Sequence, residues 1–452
     1  MGFSLAARPI DGLTWRAVDA LIVGGLESAW AWPATGPGGT LSSSGSLVWT
    51  NFQTSSSPVR TSRVVNVAAA GDIDGDGRGD LALHLDTHLV FYTSADGALS
   101  SYPRGALYNL GVGARPYPPV VTSFLNADFN ADGLSDVVLN TSPAGVEVAL
   151  REPWGTDTRP SLTLRDADGT SGYGGTVTAA DLNGDRTSDL LVAAGGYLAG
   201  RGGVFVYLFR GGTAGPGPSS FVAGPVGAVN FGVSIVNLGD VSGDGRDDVA
   251  ITSNDAPLRF GVYYGTDAGL AASPAVTVTG TSPTAIGDVN GDRLRDVAFS
   301  DAGQVRVLFG AAAGLDASAA VSVVGARTGG FLRALGDVNG DRLGDCLTGT
   351  PSAPQLVLGG ATLPALDAAG AIPVAWVLEP VGDVNGDGAM DLVVMGDIRT
   401  TMASAGRGIT DIDRVARLYL SRVGTGPAYE LARSVTLRLG PRDYWGAGQF
   451  TP

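Results

Sequence analysis

Short apolar runs, four to seven residues long and rich in β-branched and aromatic residues, recur along this chain. Gly, Pro, Asp and Ser bound them, which is how β-strands read. The runs come in sets. One precedes a polar nine-residue motif, as in SIVNLGD up to Asp240, and one follows it, as in DLLVAA from Asp189 or DLVVM from Asp391. A third comes after a Gly-rich gap: VFVYLF from Val204, GVYYG from Gly261 or VRVLFG from Val305. A fourth closes the set: VTVTG from Val276, VSVVG from Val321 or SVTLRLG from Ser434. Four strands per repeat predict one blade of a β-propeller, with the polar motif as the loop between the first and second strands.

The polar motif occurs seven times, its first Asp at 72, 128, 181, 240, 288, 337 and 383. Periods of 46 to 59 residues with strand content fit propeller blades rather than helical solenoids. The predicted fold is all-β, a propeller of four-stranded blades, with eight blades favoured and seven the alternative. The eighth would come from residues 1–63, a degenerate first repeat or else an N-terminal extension. The well-formed repeats occupy 64–452, and the two parts make one domain. Asp11 and Asp19 keep the outer spacing of the motif, but Leu13 and Trp15 stand at its inner positions. DALIVGG from Asp19 reads as the second strand of that repeat and GSLVWT from Gly45 as the third.

Within the motif, positions 1, 3, 5 and 9 carry oxygen-bearing side chains, and position 7 varies as a main-chain carbonyl donor would. The seven candidate sets follow the chain. The first is Asp72, Asp74, Asp76, Arg78 and Asp80; the second is Asp128, Asn130, Asp132, Leu134 and Asp136. The third is Asp181, Asn183, Asp185, Thr187 and Asp189; the fourth is Asp240, Ser242, Asp244, Arg246 and Asp248. The fifth is Asp288, Asn290, Asp292, Leu294 and Asp296; the sixth is Asp337, Asn339, Asp341, Leu343 and Asp345. The last is Asp383, Asn385, Asp387, Ala389 and Asp391. Alternate residues in a tight loop converge on one point, and oxygen-only ligands suit Ca²⁺. Mg²⁺ would keep more water and use fewer carboxylates. Gly at position 4, in six of the seven copies, permits the sharp turn. Seven Ca²⁺ sites are expected, with none at Asp11–Asp19. An EF-hand is excluded, because position 12 would need a bidentate Glu and flanking helices. Here position 12 is Leu83, Leu139, Val192, Ile251, Phe299, Thr348 or Val394, each inside an apolar run.

Charge sharpens this reading. The formal net charge is −15 among 452 residues, and the ligand-position Asp residues are half of the 44 acidic ones. Carboxylates gathered so closely repel one another without a cation. The same charge argues against nucleic acid, which needs a basic face. All basic residues are Arg, which excludes Schiff-base and P-loop lysine chemistry. Cys346 is single, so no intrachain disulfide or cysteine-based zinc cluster is expected. His84 and His88 show no catalytic partner pattern. No run of 18 apolar residues predicts a membrane span, and the opening residues lack a signal-peptide pattern. An extracellular protein would therefore have lost its leader.

With Phe231-Gly232 before the fourth motif, DLLVAAGG from Asp189 and GVFVYLF from Gly203, the chain resembles the FG-GAP repeats of integrin α-subunit propellers and their bacterial relatives. The resemblance covers 64–440 well and 1–63 weakly. It implies Ca²⁺ in the loops on one rim of the propeller, and partner binding by the opposite rim or the top loops. Calcium loops in all seven clear repeats, and a patchy Phe-Gly signature as at Phe331-Leu332, point to a bacterial adhesin-like relative. The expected function is a non-enzymatic, extracellular or cell-surface adhesion or interaction module, with a protein or glycan partner. The alternatives are the propeller of a lyase-like polysaccharide enzyme, a lectin, or a structural domain of a larger surface protein. Arg78-Gly79-Asp80 spells an adhesion tripeptide, but Asp80 is expected on the metal. Asn140-Thr141-Ser142 is a sequon followed by Pro143 and is not expected to be used. The seven tryptophans, at 15, 30, 32, 49, 154, 376 and 445, are expected mostly between blades, with Trp30, Trp32 and Trp154 the best candidates for exposure.

Overall fold

A computed structural model describes side chains over 127–139, 145–150, 162–164, 172–210, 220–326, 331–350, 353–360, 389–392 and 419, and elsewhere only the strands named below. The described strands form eight antiparallel four-stranded sheets in chain order, with three two-stranded ribbons beside them. The first strands of the eight sheets are Ser4–Ala6, Val64–Gly71, Val120–Ala127, Tyr173–Ala180, Ser234–Gly239, Thr281–Gly287, Phe331–Gly336 and Val377–Gly382. From the first sheet to the seventh each of these strands packs beside the next, and Ser4–Ala6 also meets Val377–Gly382 of the eighth sheet. That arrangement is the one a β-propeller uses, with first strands innermost.

All seven polar motifs join a first strand to a second. Ala127 ends one strand and Asp136 starts the next, and Ala180 and Asp189 do the same. Among the strands whose side chains are described, the second ones are the most buried: Asp189–Ala194 is covered along its whole length, as a strand flanked by sheets on both faces must be. Residues at motif position 12 lie within these strands. Leu139, Val192, Ile251, Phe299 and Thr348 are all buried, in keeping with the rejection of an EF-hand.

The core is divided among the gaps between neighbouring sheets. Phe129, Val138, Val148, Leu190 and Phe209 fill the gap between the third and fourth sheets. Leu182, Val206, Val249 and Tyr263 fill the next. Clusters of the same make-up follow between the fifth and sixth, sixth and seventh, and seventh and eighth sheets. Burial of each such side chain contributes about 1.5–3 kcal/mol. First strands are also tied directly: the hydroxyls of Thr176 and Thr178 donate to the carbonyls of Val233 and Ile235, at 3.1 and 2.9 Å.

One expectation at the N-terminus is corrected. GSLVWT lies in the fourth strand of the first sheet, Ser46–Thr50, and the third strand is Ser28–Pro33. SAWAWP alternates large and small residues with a period of two, a strand pattern that its Trp and Pro residues obscured. The seven tryptophan side chains, both His side chains, loop 72–79 and residues 383–388 lie outside the described residues.

Candidate metal centres on the loop rim

Five copies of the loop, 128–136, 181–189, 240–248, 288–296 and 337–345, are described in full, and they share one local architecture. It starts with position 2, an apolar residue that plugs the core: Phe129, Leu182, Val241, Val289 and Val338 are buried. The loop therefore cannot lift away from the sheets beneath it. Its floor is position 9. Asp136, Asp189, Asp248, Asp296 and Asp345 are at most 1% exposed, and Asp391 of the last loop is equally buried.

Each position-9 carboxylate is held by main-chain donors. Oδ2 accepts the N–H of position 2, at 2.7 Å from Val289 and 3.1 Å from Leu182. Oδ1 accepts an N–H from the end of the third strand: Phe209 (3.0 Å), Gly265 (3.0 Å), Gly310 (2.8 Å) or Gly359 (2.7 Å). Phe209 shows that the donor need not be glycine, but in the sixth sheet the approach is close enough to require it, since a Cβ on Gly310 would sit 2.5 Å from the carbonyl oxygen of Arg295. Burial pushes Asp189, Asp296 and Asp345 up to about 7, while the two N–H bonds pull the other way and the carboxylates of positions 1 and 5 add to the rise. Asp248 is raised to about 6 by burial in the same way.

Positions 1, 3 and 5 form the wall. Oδ2 of the position-1 Asp accepts the N–H of position 6, at 3.0 Å from Gly133, 2.8 Å from Arg186 and Gly245, and 2.7 Å from Arg293 and Arg342. The position-3 Asn Oδ1 accepts the N–H of position 5, at 2.9 Å in loop 288–296. The position-5 Asp Oδ1 accepts the N–H of position 7, at 2.8 Å in loops 128–136, 288–296 and 337–345. Satisfying these bonds needs two left-handed residues per loop. The first is position 4, as expected from its glycines, although Ala131 adopts it too (φ 58°). The second is position 6, which sequence reading missed because Arg186, Arg293 and Arg342 occupy it at φ 68–75° alongside Gly133 and Gly245. An Arg in that conformation is costly, and the bond to the position-1 carboxylate offsets the cost.

Among the described residues, no group of three or more His, Cys, Asp and Glu side chains closes to metal-holding distance. The side-chain oxygens turn toward the loop's own amides. The position-1 Oδ1 is the most engaged, accepting the N–H groups of Asn290, Gly291 and Asp292 on Asp288, and the set gathered in one loop is oxygen only. It comprises three carboxylates, an amide or hydroxyl oxygen at position 3 and the position-7 carbonyl. By donor chemistry that set fits a hard divalent cation. Loop 240–248 departs from its neighbours. Ser242 replaces the Asn, and the Arg246 guanidinium bridges Asp244 (3.1 Å) and Asp267 (2.6 Å).

The opposite ends of the strands carry the Phe-Gly signature. Phe231 is buried, and its N–H donates to the carbonyl of Arg201 (3.0 Å). A Cβ on Gly232 would sit 2.9 Å from that of Ala193. The pair staples the fourth sheet to the fifth.

Residues 128–192 match the FG-GAP-like repeat family. Human integrin alpha-7 is 33% identical over 142 residues, which is 30% of this chain and 12% of that subunit. Integrin alpha-3 of Cricetulus griseus is 31% identical over 142 residues, 30% of this chain and 13% of that subunit. Integrin alpha-4 of Xenopus laevis is 34% identical over 143 residues, 28% of this chain and 14% of that subunit. The matched stretch is thus a small part of each of these longer proteins. Among solved structures, BBS1N in its complex with ARL6DN aligns at TM-score 0.44 and 12% identity, over 78% of this chain and 91% of that one.

Proposed function

We propose that this FG-GAP, integrin-like propeller is an extracellular, non-enzymatic adhesion or interaction module whose rim loops are calcium sites. The observation that carries the reading is the five-fold recurrence of one loop, in which oxygen-bearing groups at positions 1, 3, 5 and 7 accompany a buried carboxylate at position 9. Burying a carboxylate beside two others is unfavourable without a counter-charge. With loops 72–80 and 383–391, seven sites are expected. The first sheet, from residues 1–63, serves as the eighth blade and closes the ring without a metal loop.

Calcium here is structural. The ligands lie in a turn between two strands of one blade, and the residues after position 9 are core. A cation bound only by the native state contributes RT ln(1 + [L]/Kd), about 2.7 kcal/mol at a hundredfold excess over Kd. The opposite rim is left free for a protein or glycan partner. Among the described residues no helix is long and apolar enough to cross a membrane.

The test is calcium titration by calorimetry, with elemental analysis of the dialysed protein. Seven bound ions are expected from the seven motifs; a count of four or fewer would overturn the reading.

A further inference from the structure

The rim loops are bonded to one another in series. The N–H of Ser188 donates to the main-chain carbonyl of Asp128, 2.9 Å away. The same bond runs from Asp247 to Asp181 (2.8 Å), Arg295 to Asp240 (3.1 Å), Gly344 to Asp288 (2.7 Å) and Met390 to Asp337 (2.8 Å). Every donor is position 8 of one loop, and every acceptor is position 1 of the loop before it.

The register matters because a peptide unit is planar and rigid. The N–H of position 8 and the C=O of position 7 belong to the same peptide plane. Position 7 is the main-chain donor of its own loop. Position 1, whose carbonyl receives the N–H, is a side-chain donor of the preceding loop. One plane therefore has its oxygen in one candidate site and its hydrogen on the residue that opens the preceding loop. Orienting or polarising the carbonyl end strengthens the N–H end, since hydrogen bonds in a chain reinforce one another. Side supports hold the junctions in place. The Asp181 N–H also donates to Asp247 Oδ2 (3.0 Å), and the Ala311 N–H donates to the carbonyl of Val241 (2.9 Å).

We infer that the rim sites are energetically coupled between adjacent sheets through these shared peptide planes, so that filling one loop orders its two neighbours. The inference rests on the loops being cation sites. It makes the rim a relay with nearest-neighbour range. Coupling is reciprocal, so emptying a loop weakens both the loop before it and the loop after it by the same factors that they weaken it.

The experiment uses the full chain with calcium alone as the ligand. Asp292→Ala removes a position-5 carboxylate from loop 288–296 without touching any of the bonds between loops. Calcium titrations are followed by calorimetry and by amide hydrogen exchange of the loop peptides. The expected result is that loops 240–248 and 337–345 bind calcium about fivefold more weakly or worse. The amides of Arg295 and Gly344 lose protection, while Ser188, two junctions away, keeps its own. Loss of one ion with the neighbouring affinities and the Gly344 protection unchanged would overturn the coupling and leave the calcium sites standing. A wild-type chain that binds no calcium would overturn both. Should Asp292→Ala fail to fold, Asp292→Asn carries the same test, since it retains the oxygen that accepts the Leu294 N–H at 2.8 Å.

Discussion

The two ends of the strands are built by different rules. At the loop rim, five described segments share the bond from the position-6 N–H to the position-1 carboxylate, and side-chain carboxylates satisfy the main chain locally. At the other end, around the fourth and fifth sheets, the ties run between main-chain groups of separate segments. The N–H of Asn230 donates to the carbonyl of Gly200 (2.8 Å), that of Gly232 to Thr252 (3.0 Å) and that of Asn254 to Val229 (2.8 Å). Apolar side chains also reach solvent there: Val226 is 92% exposed, with Val229 and Leu198 nearby in these connections. Where acceptors are carried by the loop itself, one solution can be copied from repeat to repeat. Where they come from a neighbouring segment, each junction is settled separately and is free to diverge toward a partner.

Calcium removal should separate the two ends most. EDTA is expected to lower the melting temperature by about 5 °C or more, from the loss of several sites each worth about 2.7 kcal/mol at a hundredfold excess. Protease should then cut in the rim loops before it cuts in 224–234. Cys346 reports the same event. It follows Asp345 directly, is 2% exposed, and burial pushes its thiol up to about 12. Thiol reagents should leave it alone in calcium and label it in EDTA; equal labelling in both would break the contrast.

Next in size is Asp296→Ala. It strands the N–H groups of Val289 and Gly310 in the core, at roughly 1–3 kcal/mol each. Urea unfolding should show the loss in EDTA as well as in calcium, because the position-9 carboxylate braces two strands apart from any metal role. A variant destabilised only in calcium would assign Asp296 to the metal alone.

Arg246 offers a smaller effect within the rim. Its guanidinium competes for Asp244, and Ser242 is a weak donor, so loop 240–248 should release calcium first under a chelator. Arg246→Ala should tighten calcium at that loop several-fold; weaker binding in the variant would show that the Arg supports the site. Loop 72–80, with four carboxylates, should release its ion last.

Least perturbing should be Val226→Ser with Val229→Ser at the opposite end. Stability should stay within about 0.5 kcal/mol and calcium stoichiometry should not change, while binding to any protein or glycan partner found by surface capture weakens. A fall in calcium affinity would mean that the two ends are not independent.

Much of this was legible in the residues. Repetition of Asp at positions 1, 5 and 9 located the loops, and the apolar runs on either side located the first and second strands in all seven repeats. Position 6 was not legible, because three Arg residues stand where the backbone turns left-handed, and side-chain identity gives no sign of it. Nor was the brace at the end of the third strand. Gly265, Gly310 and Gly359 look like ordinary turn glycines until the carboxylates that their N–H groups meet, 14 or 17 residues earlier in the chain, are folded beneath them. In the first sheet the third strand escaped notice because Trp-Ala alternation does not resemble the Val-rich strands elsewhere.

By itself the sequence determined whatever depends on neighbours a few residues apart: the strand pattern, the nine-residue loop and its oxygen donors. These are local because turns and side-chain-to-amide bonds close over two to seven positions. Tertiary structure decided how the loops connect. The contact from position 8 to position 1 spans 53 to 66 residues and exists only because adjacent sheets pack face to face over their apolar cores. A main-chain donor and a main-chain acceptor leave no side-chain signature, so only the folded chain could bring that link to light.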